Sequence, residues 1–468
     1  MSFPEPPDGP RRDTGSFRDP SGHVYLDGDR VIRVLDERGR EAWTALENST
    51  LFNTFTSDRR LIGTREIPLA DISEAGWTAA LQHDRIPVIT YPYEWSFGML
   101  QDAALLTLDL LAAALDEDLV LKDATPFNVQ FDGVQPTFID VGSFEKLQEG
   151  EAWTGYRQFC RMFLYPLMLR SYKEVSFRPW LRGSLDGIAA GDFRQLRRPR
   201  DLLKKGVLLH VAMQARAERR YQAVSRDVRS EIRQAGFRKE LIQNNVKQLQ
   251  KTVGELTGPT GGSEWSDYAS QDHVLQQREL KGNFLRKSLG NPALVWDLGA
   301  NDGYFSRIAA ESGAYVVAAD SDEVVVDRLY RTLTAEGDQR IQPLVVDVSD
   351  PSPATGWRQR ERTALDTRAN PDLVVMYAVI HHLVIGGNVP VREVLEWLAT
   401  LRSRVVIEFV PVGDPMTDLL LANKRASDVH QDYTEEAFRA HLARWFEIEE
   451  EQPVAGSTRT LFSLRPRS

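Results

Sequence analysis

From Leu294 to the C-terminus, short apolar runs alternate with helix-sized connections, and this pattern restricts the fold more than any other feature of the chain. The runs are Leu294–Leu298, Tyr315–Ala319, Gln342–Val346, Leu373–Tyr377 and Arg404–Phe409, followed by Phe446–Glu450 and Thr460–Leu464. The first five are apolar almost throughout instead of alternating, which is what strands covered on both faces require. Their spacing leaves room for crossover helices, as parallel neighbours demand. The expectation is an α/β domain built on a seven-stranded, mainly parallel sheet.

Within that domain, Val295-Trp296-Asp297-Leu298-Gly299-Ala300-Asn301-Asp302-Gly303-Tyr304-Phe305-Ser306 reads as a strand ending in an acid, a glycine turn and a helix. Glycines permit a close ligand and dihedrals closed to other residues. In open α/β sheets, ligands bind at such strand C-termini. The GxNxG spacing differs from the dinucleotide pattern GxGxxG, which sets a pyrophosphate on a helix N-terminus. Asp297 would repel a pyrophosphate and accept from an amino group. The following strand ends at Asp320, where a carboxylate can bind both hydroxyls of a ribose.

From Ala293 to Pro466 these ordered segments resemble the class I S-adenosylmethionine-dependent methyltransferases. The resemblance implies S-adenosylmethionine as cofactor, with Asp297, Gly299, Asn301 and Gly303 forming the turn beside its methionine part. Asp320 would hold the ribose, Ser321 and Asp322 would lie near the adenine, and Asp347 of Val345-Val346-Asp347-Val348 would reach the adenine amino group. The segment Asp372 to Leu383 resembles the region flanking methyl transfer, and its His381-His382 pair recurs in small-molecule methyltransferases of this class. Adjacent histidines on a helix cannot point the same way, so only one need face a pocket. Either could orient or deprotonate an acceptor. Glu408 is a further acid-base candidate, with Asp414 beyond it. A preceding helix, Trp265 to Leu289, offers Trp265, Tyr268, His273 and Lys281 either as a lid or as ordinary packing and surface residues.

The front of the chain reads differently. His23–Leu26 and Val31–Leu35 flank a turn and predict a hairpin. A helix is expected near Trp43, a strand over Ile86–Thr90, a buried helix over Phe97–Leu115, and short strands over Val129–Phe131 and Thr137–Ile139. Asp123, Asn128 and Asp140-Val141-Gly142 form a Dx4N…DxG arrangement that resembles protein-kinase-like phosphotransferases over Gly22 to Tyr165. The resemblance implies Asp123 as base, Asn128 and Asp140 as magnesium ligands, and Gly142 as a turn residue. Arg33 stands where that family places a phosphate-contacting lysine, with Glu41 or Glu47 as its helix partner. Arginine does not simply replace lysine in a tight phosphate site, and no GxGxxG loop precedes the motif. The expected role is therefore a kinase-like accessory module, with magnesium and ATP disfavoured. A structural alternative is that Asp123, Asn128 and Asp140 fix loops through hydrogen bonds.

At 468 residues the chain exceeds one hydrophobic core. The expected organisation is a flexible tail over 1–20, a kinase-like or mixed α+β accessory domain over 21–179 and a helical basic connector over 180–256. A linker and leading helix over 257–290 then precede the methyltransferase domain over 291–468. Residues 201–256 hold 12 Lys or Arg against 6 Asp or Glu, yet only Tyr221 and Phe237 interleave them, too few for a row of base-stacking platforms. A solvated face, or an oligomer contact through the apolar spacing, explains them better than nucleic acid. The whole-chain charge of −10 agrees. A single cysteine, Cys160, excludes an intrachain disulfide. The N-terminus lacks a signal-peptide core, and the apolar region Ala103–Leu115 is short for a bilayer. These features predict a cytoplasmic enzyme acting on a small-molecule acceptor, a sugar or secondary metabolite among the candidates. Two rival readings are a kinase-like phosphotransferase or nucleotide-binding regulator, and a protein methyltransferase that docks its substrate on the front domain.

Overall fold

The computed structural model describes residues 9–69, 76–196, 210, 238–258, 261, 272–422, 424–425 and 430–467. It divides into two units. The first comprises Met1–Phe131, Gln135–Pro259 and Ala354–Arg362; the second comprises Asp132–Val134, Thr260–Pro353 and Thr363–Ser468.

The first unit opens with five antiparallel strands, β1 (Arg11–Arg12), β2 (Gly22–Asp27), β3 (Arg30–Leu35), β4 (Thr64–Ile67) and β5 (Ala79–His83), in the order β1-β2-β3-β5-β4. The hairpin turn between β2 and β3 contains Gly28 at φ 57, a conformation that suits glycine. Tyr25, Ile32, Val34 and Ala80 form the sheet's buried cluster. The helix Glu37–Glu47 starts where the Asp36 side chain accepts from the Gly39 amide at 2.7 Å, and buries Trp43 and Leu46. The helix Phe97–Asp116, capped by Ser96, is the core helix of the unit. It is long and apolar enough to cross a membrane, and it is mostly buried within the protein. Its Gln101 amide donates to the carbonyls of Val253 (2.7 Å) and Leu256 (2.9 Å), which ties down the end of the helix Lys239–Gly254. Beyond the core helix, β6 (Leu119–Leu121) pairs with β9 (Phe144–Lys146), and β7 (Val129–Asp132) with β8 (Gln135–Phe138).

Two expectations change here, and a third falls largely outside the described residues. Ile86–Thr90 is not a strand; β5 lies earlier, at Ala79–His83. Pro87 cannot donate to a ladder, and the backbone N–H and carbonyl of Thr90 both bond to the Gln130 side chain. The described end of the segment expected as a loose tail holds β1, paired with Tyr25 and Leu26. Most of the basic stretch 201–256 lies outside the described residues.

The second unit carries a seven-stranded sheet of β10 (Leu294–Leu298), β11 (Tyr315–Asp320), β12 (Ile341–Val345), β13 (Leu373–Met376), β14 (Arg404–Phe409), β15 (Phe446–Pro453) and β16 (Thr460–Pro466). Its order is β12-β11-β10-β13-β14-β16-β15. The first five pair in parallel, and β16 inserts antiparallel between β14 and β15. This is the Rossmann-like arrangement expected from the apolar runs. The parallel strands are buried along most of their length, whereas edge strand β15 exposes Glu447 and Glu449, charges that discourage further pairing. The order reverses between β10 and β13, so their C-terminal ends open a crevice.

Candidate functional site

The crevice is built first by backbone. Gly299 follows β10 at φ 80, and a Cβ there would lie 2.4 Å from the Val379 side chain. Asn301 is left-handed at φ 49. Gly303, at φ 78, caps the helix Tyr304–Glu311, and a Cβ would lie 2.7 Å from Leu329. The turn thus hugs both β13's extension and a neighbouring helix, which only glycine allows at these two positions. Asp320 ends β11, and its carboxylate accepts from the amides of Asn301 (3.0 Å) and Asp322 (2.9 Å). Burial raises its pKa against those hydrogen bonds.

A cavity of about 320 Å³ opens there. Gly299, Asn301, Asp320, Ser321 and Asp347 line one part, and His381, His382, Lys281, Met416 and Arg459 line another. Asp347 accepts from the Ser349 amide at 2.8 Å and hydroxyl at 2.6 Å. Three expected site residues stand outside this wall. Asp297 is only 2% exposed and accepts from the Ser306 hydroxyl at 2.6 Å. Burial above all, with Asp320 and Asp302 nearby, pushes its pKa up to about 7. Gly303 shapes the turn from behind. Glu408 is fully buried, and its carboxylate pairs with Lys281 at 2.8 Å and Arg459 at 3.5 Å. It supports the wall and is not presented to the cavity. Asp322 caps the helix Glu323–Glu336 by accepting from Val324 and Val325.

The two histidines follow Ala378, which is left-handed at φ 53, a strained state for a non-glycine residue. A π-helical turn, His382–Gly386, succeeds it; such turns gather at functional sites. His381 is fully buried, and neither ring nitrogen has a hydrogen-bond partner. Burial, then His382 and Arg459, lower its pKa to about 2. The ring is therefore neutral at physiological pH, with one donor and one acceptor free. Burial and Arg459 also lower the pKa of His382.

Arg459 is the main residue that sequence reasoning missed. It binds Asp414 through two hydrogen bonds, at 2.8 and 2.9 Å, and reaches Glu408. The Arg459 guanidinium outweighs burial and holds Asp414 below the usual carboxylate range. Nothing local marks Arg459; only the antiparallel pairing of Thr460 with Phe409 brings it to the site. Lys281 joins it from the helix Asp272–Leu289. Trp265 and Tyr268 lie outside the described residues, as does the side chain of His273.

In the first unit, Asn128, Asp140 and Arg33 do come together. Arg33 Nη2 lies 3.0 Å from Asp140 Oδ1, and the Ser143 hydroxyl donates to Asp140 Oδ2 at 2.5 Å. The Asn128 amide donates to Ser143 Oγ at 3.0 Å and to Asp140 Oδ2 at 3.4 Å. Arg33 thus pairs with Asp140 instead of Glu41 or Glu47. Although burial raises the pKa of Asp140, Arg33 and Ser143 outweigh it and hold the carboxyl low. Burial and Asp140 raise that of Asp123. Magnesium, with its demand for oxygen ligands, does not fit Asn128 and Asp140 as arranged here. Among the described residues, no group of three His, Cys, Asp or Glu could hold a metal ion.

No family model matches the chain. It is 33% identical over 462 residues to nodulation protein NoeA of Rhizobium meliloti (strain 1021), covering 97% of this chain and 96% of that protein. It is 27% identical over 179 residues to the O-antigen chain terminator bifunctional methyltransferase/kinase WbdD of Escherichia coli, covering 36% of this chain and 24% of the other. Among solved structures, magnesium protoporphyrin IX methyltransferase (ChlM) of Synechocystis PCC 6803 with bound SAM is similar at 17% identity and TM-score 0.30, over 44% of this chain and 87% of that one. N-methyltransferase NodS of Bradyrhizobium japonicum WM9 with S-adenosyl-l-homocysteine gives 14% and 0.33, over 44% and 93%. The alignment with the R. meliloti protein spans nearly all of both sequences, so the chain belongs to the family of nodulation protein NoeA.

Proposed function

We propose that this protein transfers the methyl group of S-adenosylmethionine to a small-molecule acceptor. The observation that carries this reading is one cavity lined by Gly299, Asn301, Asp320 and Asp347 together with His381, a buried side chain lacking partners. The residues fit the donor: Asp320 is fixed by backbone amides for a diol, Asp347 is available to an amino group, and Gly299 leaves room for a ligand against the turn. S-adenosylmethionine supplies an already activated methyl group, whose departure neutralises the sulfonium charge.

The chain's own contribution is positioning and exclusion of water. His381 orients the acceptor through its free donor and acceptor. Burial depresses its proton affinity, which favours orientation over proton removal. His382 is the second candidate for that contact. Lys281, Glu408, Arg459 and Asp414 form the charged frame behind them. A sugar or secondary metabolite suits an acceptor side bearing fixed polar groups. The first unit is read as a kinase-like accessory module, on its five-stranded sheet followed by Asp123, Asn128 and Asp140. The test is incubation with methyl-labelled S-adenosylmethionine and host extract. Label in a small molecule is expected; label confined to protein would favour the docking alternative, and none at all would contradict the proposal.

A further inference from the structure

We propose that Arg33 occupies the charge position of a divalent cation in the first unit, so that its cleft works without metal. This inference is independent of methyl transfer. It starts from register: Arg33 pairs with Leu81, and Val31 with His83, so Arg33 and His83 share one face of the β3–β5 ladder. On that face the guanidinium meets Asp140, 3.0 Å away, and approaches Asp19 at 4.0 Å. Gly142 makes room for it, because a Cβ there would lie 3.2 Å from Arg33 Nη1.

One carboxylate oxygen is ion-paired with the guanidinium without a hydrogen bond, and the other accepts from the Ser143 hydroxyl and the Asn128 amide. A magnesium ion needs oxygen atoms at about 2.0–2.1 Å in near-octahedral array. To reach Asp140 it would have to displace a mostly buried guanidinium, leaving that charge unpaired. Asn128 would also have to turn its amide oxygen inward and give up its bond to Ser143. His83, the next polar group on the face, is held by Thr64 Oγ1 at 2.8 Å, and burial and Arg33 lower its pKa to about 3, so it stays neutral and offers no carboxylate-like charge to an ion. The site has the acid and amide of a metal centre, with an arginine of the chain in the place of the ion.

The test uses the full chain and Mn²⁺ as the probe, with bound ions counted by electron paramagnetic resonance. Wild type and Asp140→Asn should bind the same number of ions, since Asp140 is already neutralised. Arg33→Met should gain one ion, held at least about tenfold more tightly than the background of surface carboxylates. The double variant Arg33→Met with Asp140→Asn should lose that ion again. One more ion on wild type than on Asp140→Asn would overturn the proposal, and so would a folded Arg33→Met that gains none. If Arg33→Met fails to fold by circular dichroism, the comparison of wild type with Asp140→Asn still decides.

Discussion

Replacing Asp297 with Asn isolates one buried charge and puts a sign on it. Asp297 accepts from the Ser306 hydroxyl at 2.6 Å, while burial and the neighbouring carboxylates bring its pKa from 3.8 to about 7. A folded-state pKa above the unfolded one means that folding takes up a proton between those values. The associated stabilisation is fully present below pH 3.8 and is lost as pH rises through about 7. At 1.36 kcal/mol per unit, the complete loss is roughly 4 kcal/mol, an order-of-magnitude figure. Asn has no charge to bury and retains an acceptor for Ser306. Whatever its amide costs to seat is the same at every pH. Denaturant midpoints should therefore show the variant gaining on wild type by about 3 kcal/mol between pH 5 and pH 8, then levelling off. A difference that stays flat across that range, or slopes the other way, would refute the assignment of Asp297 as a buried, proton-retaining support of the turn.

Other substitutions test the frame and the acceptor side. Arg459→Ala leaves Asp414 without its two hydrogen bonds, and should cost about 3–5 kcal/mol in equilibrium unfolding; under 1 kcal/mol would show that the network is dispensable. Gly299→Ala places a Cβ against Val379 at a positive φ, so a strain of about 1–3 kcal/mol and weakened donor binding should appear together in thermal melts with and without ligand. His381→Ala should slow single-turnover methyl transfer at least about tenfold, equivalent to 1.4 kcal/mol, with donor affinity within about threefold. Because the ring is held neutral, the wild-type rate should show no inflection from it above about pH 5; an inflection that vanishes in His381→Ala would contradict this.

The parallel sheet was legible because each of its strands is buried on both faces and so is written as an uninterrupted apolar run. Strand ends carry the cavity-lining residues, which is why Gly299, Asn301, Asp320 and Asp347 could be read in order. What alternation along a strand hides is direction. Asp297 precedes the turn yet points to Ser306 behind it, and Glu408 ends inside an ion-pair network. Arg459 depends on the strand inserted between β14 and β15, a pairing across some fifty residues that no local pattern announces. In the first unit, the apolar run Ile86–Thr90 suggested a strand, whereas β5, with two alanines, a glutamine and a histidine, is selected by its neighbours β3 and β4.

Calorimetry of S-adenosylmethionine binding to the full chain, wild type beside Asp320→Ala, tests the central claim most directly. Asp320 is fixed by the amides of Asn301 and Asp322 and lines the cavity. Saturable one-to-one binding to wild type is expected, weakened in the variant by about 1.5–3 kcal/mol through loss of charged hydrogen bonds. No binding to wild type, or unchanged affinity in a folded Asp320→Ala protein, would contradict the account.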